Sequence, residues 1–248
     1  MSGIVDNYNL VISSVSNFVN IIFNSVISSF GNLIVTESRE KQYSMFCVYR
    51  FFASWIYGFS AVGFYILLTP LIQLWILPGV VVAAILVDYY FKGERVVLSN
   101  FKTAAGVFEQ DKYLPLVQGA VNLIISVVLA IKIGLIGVYI GTIVSGLLAN
   151  IIRPIIIYRV CFERNAAGYF YDTVRYSAVI ILATVCCILC GNIFMKEVTI
   201  TSFSVMIVII TVVFNGIFIL FFGKTAEFKY LFEIFRDKAY AVINRLHH

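Results

Sequence analysis

Long uncharged stretches separate the short segments that hold the charged residues of this chain. No Asp, Glu, Lys or Arg occurs at positions 7–36, 51–87, 113–131, 133–152, 176–195 and 198–223. A helix needs about 20 apolar residues to cross the hydrocarbon layer of a bilayer, so most of these stretches have the length of one membrane span. The stretch 51–87 is too long for one span, and Pro70 and Pro78 divide it. The pattern predicts an all-α integral membrane protein with seven transmembrane helices.

We expect these helices at 10–35, 50–69, 78–101, 114–131, 134–152, 176–194 and 203–222. The third has charged residues in its second half, so we expect it to run from the membrane into a polar cavity or the cytoplasm. Composition supports the class, because 61% apolar and 12% charged residues with a mean hydropathy of +0.95 lie outside the range of water-soluble domains.

Basic residues mark one side of the membrane. Alternate loops hold 16 of the 18 Lys and Arg residues, and the remaining loops hold only Lys132 and Lys196. Because basic loops stay in the cytoplasm, the C-terminus is predicted to be cytoplasmic. The net charge of +5 is then explained by the basic loops on the cytoplasmic side, and we expect no nucleic-acid partner. Seven spans put Met1 outside without a basic anchor, so we expect a preceding helix, or a preceding half, in the complete protein.

The tail, 224–248, has the pattern of an amphipathic helix. Phe228, Leu231, Phe232 and Phe235 follow spacings of three, one and three, with charged residues on the rest of the wheel. We expect this helix to lie on the inner membrane surface, where its basic residues meet anionic lipid.

Polar residues recur on one face of the first helix. They are Ser13, Asn17, Asn20, Asn24 and Ser28. Amide side chains are costly in lipid unless they are paired, so this face must meet other helices or a wet cavity. Two interpretations stay open: hydrogen bonds between helices, or a cavity wall that offers neutral donors and acceptors to a hydroxyl-rich substrate.

Charged residues near the membrane supply further candidates. Asp88 lies inside the third hydrophobic segment, and Arg95 or Arg50 are its predicted partners. It is either a structural ion pair near the cytoplasmic interface or a titrating group that couples transport to protons or sodium. Arg153, followed by Pro154, is predicted to break the fifth helix; it is either a positive-inside anchor or a contact to a pyrophosphate.

The sequence shows no motif of an active site at which covalent bonds are made or broken. Cys186, Cys187 and Cys190 lie within one helix, and the only imidazoles are His247 and His248 at the end of the chain, so no metal site is expected. No phosphate-cradling glycine loop and no grouping of nucleophile and base occurs. We therefore expect no enzyme and no cofactor. A seven-helix receptor or a membrane-embedded enzyme is the weakest alternative, since positions 198–223 contain no lysine for a retinal-type linkage.

Three strings of the sequence resemble one family of transporters. They are NYNLVISSVSNFVNIIFNSVISSFGNLIVTESREKQY, PLIQLWI and NFKTAAGVFEQDKYLPLVQGAVNLIISVVLAIKIGLIGVYIGTIVSG. The first contains an SxGNL motif, from Ser29 to Leu33, and the third a GLFxxDxY-like segment with Gly106, Asp111 and Tyr113. Together they resemble the C-terminal half of Wzx-type polysaccharide flippases, which export O-antigen and capsule repeat units and belong to the MATE-like exporter superfamily.

The resemblance implies two six-helix lobes around a central cavity, with alternating access and often two extra C-terminal helices. Residues 1–160 would form part of the C-terminal lobe with five transmembrane helices, 161–223 two additional helices, and 224–248 the cytoplasmic tail. The implied substrate is an undecaprenyl-diphosphate-linked oligosaccharide in the cytoplasmic membrane. Its polar, partly cationic cavity would be lined by Asn17, Asn20, Asn24, Arg50, Asp88, Arg95 and Arg153.

The implied partners are the lipid bilayer, the missing N-terminal lobe and the polysaccharide assembly machinery. A multidrug or small-molecule exporter of the same superfamily, or an inactive fragment, is the alternative.

Overall fold

A computed structural model describes residues 2–72, 79–194 and 199–246. Within these residues the chain forms α-helices, one short 3-10 helix at Glu109–Asp111 and no strands. The α-helices are α1 (Ser2–Asn24), α2 (Ile27–Thr36), α3 (Arg39–Ile72), α4 (Gly79–Ala105), α5 (Leu114–Ile133), α6 (Leu135–Cys161), α7 (Ala167–Phe194), α8 (Ile200–Phe222) and α9 (Ala226–Leu246). Pro78, Lys196, His247 and His248, on which some sequence predictions rest, lie outside the described residues.

The chain is an all-α, multi-pass membrane protein. In the described part, six helical segments are long and apolar enough to cross a bilayer, as judged by length and composition. They are Leu10–Thr36, Arg39–Leu67, Glu109–Ile133, Leu135–Cys161, Ala167–Asn192 and Ile200–Phe222. The sequence predicted seven transmembrane helices, one more than this. The additional one corresponds to α4, which is present as a helix but carries too many charged residues to count as an apolar span.

The helix ends differ from the predicted spans in a consistent direction. Helix α3 begins at Arg39 and α7 at Ala167, about ten residues before the predicted starts of their spans. The prediction that Arg153 and Pro154 break the fifth helix is wrong, because α6 continues through Pro154 to Cys161. A proline removes one helical hydrogen bond, but packing against neighbouring helices compensates, and here Ile157 and Tyr158 are fully buried.

Helix α4 is the central element of the bundle. It packs against α3, α6 and α2, and it also touches α1. It runs antiparallel to α3, since Arg50 pairs with Glu94 near one end while the Phe64 ring meets the Tyr89 ring near the other. Asp88, Glu94 and Arg95 of this helix lie inside the protein, where they find ionic partners, whereas Lys92 is exposed.

Helices α5 and α6 pack closely because glycines of α6 meet the α5 backbone. A Cβ added at Gly141 would lie 2.7 Å from the Ser126 nitrogen and 2.9 Å from its Cα. Small residues of this kind allow transmembrane helices to approach one another.

We expect Gly141→Ala to destabilise the protein by about 1–3 kcal/mol, because the α5 backbone must move away. Gly119→Ala on α5 is the matched control, since a Cβ there meets nothing within 4 Å. The measurement is the melting temperature of the purified protein in detergent. Equal melting temperatures for the two variants would contradict this account of the α5–α6 contact.

The last two membrane helices and the tail pack onto α3. The buried face of α8 places a large residue at every fourth position: Met206, Ile210, Phe214, Phe218 and Phe222. The tail helix α9 also uses its apolar side against α3, with Phe228 against Trp55 and Phe235 against Phe52. The predicted amphipathic tail is thus a helix with Leu231 buried and Phe228 against the protein, while Phe232 and Phe235 remain largely exposed.

Several of the basic loops lie at the same end of the bundle. Arg39, the first residue of α3, forms an ion pair with Glu163, which follows α6. The Arg164 guanidinium lies 4.4 Å from the centre of the Tyr43 ring. The segments 37–43 and 162–166 are therefore neighbours, as expected if they share one side of the membrane.

Candidate functional site

An open, polar cleft runs along α4, between α1 on one side and α5 and α6 on the other. It has a volume of about 360 Å³. Its lining consists of Asn20, Lys92, Arg95, Val96, Ser99, Gln118 and Arg153. Three of the seven predicted cavity residues, Asn20, Arg95 and Arg153, thus come together from three different helices.

Each arginine of the cleft is paired with a buried aspartate. Arg95 Nη2 lies 3.4 Å from Asp88 Oδ1, and Lys92 Nζ lies 2.7 Å from Asp88 Oδ2. Arg153 Nε lies 3.3 Å from Asp111 Oδ2. The side chains of Asp88 and Asp111 are 7% and 2% exposed, whereas those of Arg95 and Arg153 are 13% and 15% exposed. The carboxylates thus lie behind the guanidinium groups, which border the cleft.

The ion pairs leave the cleft with excess positive charge. Lys102 joins the second aspartate, with Nζ 2.8 Å and 2.9 Å from the two carboxylate oxygens of Asp111. The whole group contains four cations and two carboxylates, which gives a net charge of +2. In a poorly solvated position such a group attracts an anion more strongly than the same charges would in water.

A glycine of α6 creates the space for Arg95. A Cβ at Gly146 would collide with Arg95 Nη1, so the guanidinium lies against bare backbone at this position. Asn150, one turn further along α6, donates from Nδ2 to the Phe91 carbonyl at 3.4 Å. Helix α6 therefore fixes both the position of Arg95 and the approach of α4.

The asparagines of the first helix divide between two environments. Asn20 Oδ1 accepts a hydrogen bond from the Tyr57 hydroxyl at 2.6 Å, and Asn24 Oδ1 accepts one from Asn100 Nδ2 at 3.1 Å. Asn17 is exposed. Asn20 and Asn24 thus bond between helices, as the first interpretation of the stripe proposed, and Asn20 also borders the cleft, as the second proposed.

Arg50 lies apart from the cleft in a buried polar cluster. Its Nε lies 3.3 Å from Glu94 Oε2, and its Nη2 donates to the Tyr169 carbonyl at 2.8 Å and to the Thr173 hydroxyl. Its guanidinium carbon lies 3.6 Å from the centre of the Tyr169 ring. Glu94 accepts a further, short hydrogen bond from Ser54. The cluster joins α3, α4 and α7, and Arg50 is not among the residues that line the cleft.

Asp88 forms ion pairs with Lys92 and with Arg95, one of its two predicted partners; a structural role and a role in coupling both stay predictions. Sequence reasoning did not single out Lys92, Ser99 and Gln118 as cleft residues, nor Asp111 and Lys102 as the ion pair behind Arg153. The spacing of Lys92, Arg95 and Ser99, three and four residues apart, is the helical period of one face and could have identified them together.

A second, apolar pocket of about 480 Å³ lies between α3, α4 and α7. Val62, Leu86, Ile180 and Ile188 are among its lining residues, and the residues that bear a hydroxyl are Tyr65, Tyr90, Ser177 and Thr184. It is separate from the cleft, because it occupies the opposite side of α4.

Comparisons of the chain with protein-family models, with curated proteins and with solved structures find no match.

Proposed function

We propose that the chain is part of a membrane transporter that moves an undecaprenyl-diphosphate-linked oligosaccharide across the cytoplasmic membrane for the assembly of surface polysaccharide. The observation that carries the proposal is the cationic cleft with its net charge of +2. A diphosphate that joins a lipid to a sugar carries two negative charges. Such a group can leave water for a membrane protein only where fixed cations replace its hydration.

The neutral residues of the cleft suit the remainder of this substrate. Asn20, Ser99 and Gln118 offer amide and hydroxyl groups beside the arginines, and such groups can donate to and accept from sugar hydroxyls. The cleft is open along the bundle, which leaves room for a large headgroup. In the proposed two-lobed architecture a second lobe faces this opening, and the exposed side of α1 with Asn17 would contribute to the shared cavity.

The topology proposed here includes α4 as a seventh, interior membrane helix. Its 27 residues correspond to about 40 Å of helix, enough to cross the hydrocarbon layer. Asp88, Glu94 and Arg95 pair inside the bundle, which is how a polar helix can cross a membrane. The positive-inside pattern places the C-terminus in the cytoplasm.

We expect the purified chain in nanodiscs of neutral lipid to bind a polyprenyl-diphosphate-linked sugar at least about tenfold more tightly than the same sugar joined to a neutral polyprenol. The reason is that each charge-assisted hydrogen bond to a phosphate oxygen contributes about 1.5–3 kcal/mol. Tryptophan fluorescence or microscale thermophoresis measures the affinities. Equal affinity for the charged and the neutral lipid would refute the proposal.

The apolar pocket favours a second candidate, an exporter of small apolar molecules. Its mainly apolar lining with four hydroxyl-bearing residues is typical of sites for such ligands. The same nanodiscs distinguish the two functions: an exporter of this kind would bind apolar dyes with high affinity, and the polyprenyl diphosphate would not compete with them.

A further inference from the structure

Asp111 links the cleft to the connection between α4 and α5. Its carboxylate is buried, accepts from Lys102 at the end of α4 and lies against Arg153 of α6. Among the described residues, Asp111 is the one acceptor of a hydrogen bond from the Arg153 side chain. Arg153 therefore belongs to two groups at once, the wall of the cleft and the ion-pair cluster behind it.

The connection itself is short and has an irregular backbone. Helix α4 ends at Ala105, Gly106 follows with a φ of +68°, and the 3-10 helix Glu109–Asp111 leads to α5. The pair of Asp111 with Arg153 is a direct tie between this connection and α6. The α5 span that follows has only 6% of its apolar window buried, and Val107 and Leu114, on either side of the 3-10 helix, are the buried apolar residues that hold this part of the chain besides the ion pairs of Asp111.

An anion in the cleft would compete with Asp111 for Arg153. The present partner carries one negative charge and bonds only Nε of the guanidinium, in a contact of 3.3 Å. A phosphate or diphosphate group carries more charge and can take two parallel hydrogen bonds from the guanidinium fork. When such a group enters, the carboxylate of Asp111 repels it unless Asp111 moves away or Arg153 turns towards the ligand.

We propose that Asp111 is an internal counter-ion that exchanges with the ligand: a phosphate group bound in the cleft takes Arg153 from Asp111 and thereby releases the 106–113 connection from α6. This inference rests on the proposed function, because it assumes an anionic ligand in the cleft. Binding and release are reciprocally linked, so a chain whose connection is already released binds the anion more tightly. The exchange gives the bundle a two-state element that reports whether the cleft is occupied.

The test is hydrogen–deuterium exchange of the full chain in phosphatidylcholine nanodiscs, with inorganic pyrophosphate and a polyprenyl diphosphate as the two probes. Amides in 106–113 are expected to exchange at least about fivefold faster with a saturating probe, which corresponds to the lower range of allosteric coupling. An effect of both probes indicates recognition of the phosphate itself, and an effect of the polyprenyl diphosphate alone indicates recognition of a lipid-borne group. Either result supports the displacement of Asp111 from Arg153 by the phosphate group.

The variant Asp111→Asn shows whether faster hydrogen exchange comes from loss of the Asp111–Arg153 pair or from a general loosening of the chain. We expect 106–113 to exchange fast in this variant without any probe, to show no further increase with one, and to bind pyrophosphate about fivefold more tightly than the wild type. Glu109→Gln is the matched control, because this carboxylate lies in the same 3-10 helix, is exposed and pairs with Lys112, and not with Arg153. It should leave both measurements unchanged.

Two results would overturn the inference, and they differ from failure of the proposed function. If a probe binds the wild type through Arg153 and the exchange of 106–113 does not change, the cleft is an anion site but Asp111 is not displaced. If Asp111→Asn binds pyrophosphate more weakly, Asp111 holds Arg153 in place for the ligand. If neither probe binds the wild type, the anion site itself is refuted, and the proposed function fails with it. If the variant does not fold, hydrogen exchange of the wild-type chain with and without the probes still tests the inference.

Discussion

Arg50→Met is expected to destabilise the protein by about 3–5 kcal/mol, the largest effect of any single substitution considered for this chain. The substitution removes one partner of a buried ion pair and leaves the other charge without compensation. Both side chains are almost completely buried, at 3% for Arg50 and 2% for Glu94. Glu94 would keep only the hydroxyls of Ser54 and Tyr169 as donors. The measurement is the free energy of unfolding in mixed micelles, with the melting temperature as a second readout.

Two further variants show whether the pair itself is responsible. The double variant Arg50→Met/Glu94→Leu removes both charges and should recover most of the lost stability, because well-packed apolar residues can replace a buried ion pair. Arg236→Met is the matched control, since its ion pair with Asp237 is exposed and such pairs contribute about 0–1 kcal/mol. If the double variant were as unstable as Arg50→Met, packing and not charge would account for the loss.

The sequence predicted the helices well because the spacing of charges reflects the thickness of the hydrocarbon layer. It predicted their ends less well, because a helix does not stop where the membrane does. Helix α3 begins at Arg39, 11 residues before the predicted span 50–69, and α6 runs past Pro154. Whether α4 crosses the membrane could not be predicted from its own sequence. Its charged residues are tolerated in a membrane only if other helices supply partners for them.

Prediction of the candidate site from the sequence was limited in the same way, because the partners of a single residue depend on how the helices pack. The sequence identifies Arg50, Arg95 and Arg153 as cations near the membrane, but it does not show which way each one points. Arg95 and Glu94 are neighbours in the chain, yet they lie on different faces of α4. One face holds the buried pair with Arg50, and the other borders the cleft. Only the packing of α3 and α7 on one side and α6 on the other separates these roles.

Helix α4 therefore combines two polar systems with different consequences. The cluster around Arg50 and Glu94 is fully paired and buried, so its substitution should change stability. The cleft around Arg95 and Arg153 carries net positive charge, and Lys92 and Lys102 still pair with the two aspartates when an arginine is replaced. Substitution of an arginine there should therefore change ligand binding more than stability. This division gives each substitution a distinct expected readout.

Replacing both cleft arginines, in Arg95→Gln/Arg153→Gln, is expected to weaken binding of a polyprenyl diphosphate about a hundredfold, and each single change about tenfold. A charge-assisted hydrogen bond contributes about 1.5–3 kcal/mol, and 1.36 kcal/mol corresponds to a factor of ten. Arg175→Gln is the matched control, because this arginine is 41% exposed and pairs with Asp172 away from the cleft. Affinity is measured in neutral nanodiscs, with the melting temperature recorded in parallel.

Gly146→Ala tests the same site without changing any charge. The added Cβ collides with Arg95 Nη1, which is the end of a flexible side chain, so the guanidinium can move while the helices stay in place. We expect affinity for the diphosphate to fall about three- to tenfold, because a charge-assisted hydrogen bond is weakened when its donor is displaced. Gly216→Ala, where a Cβ meets nothing within 4 Å, should have no effect. Since net charge is the same in both variants, a loss confined to Gly146→Ala would show that the ligand requires Arg95 in its observed position. Unchanged affinity would mean that the cleft attracts anions only through its overall charge.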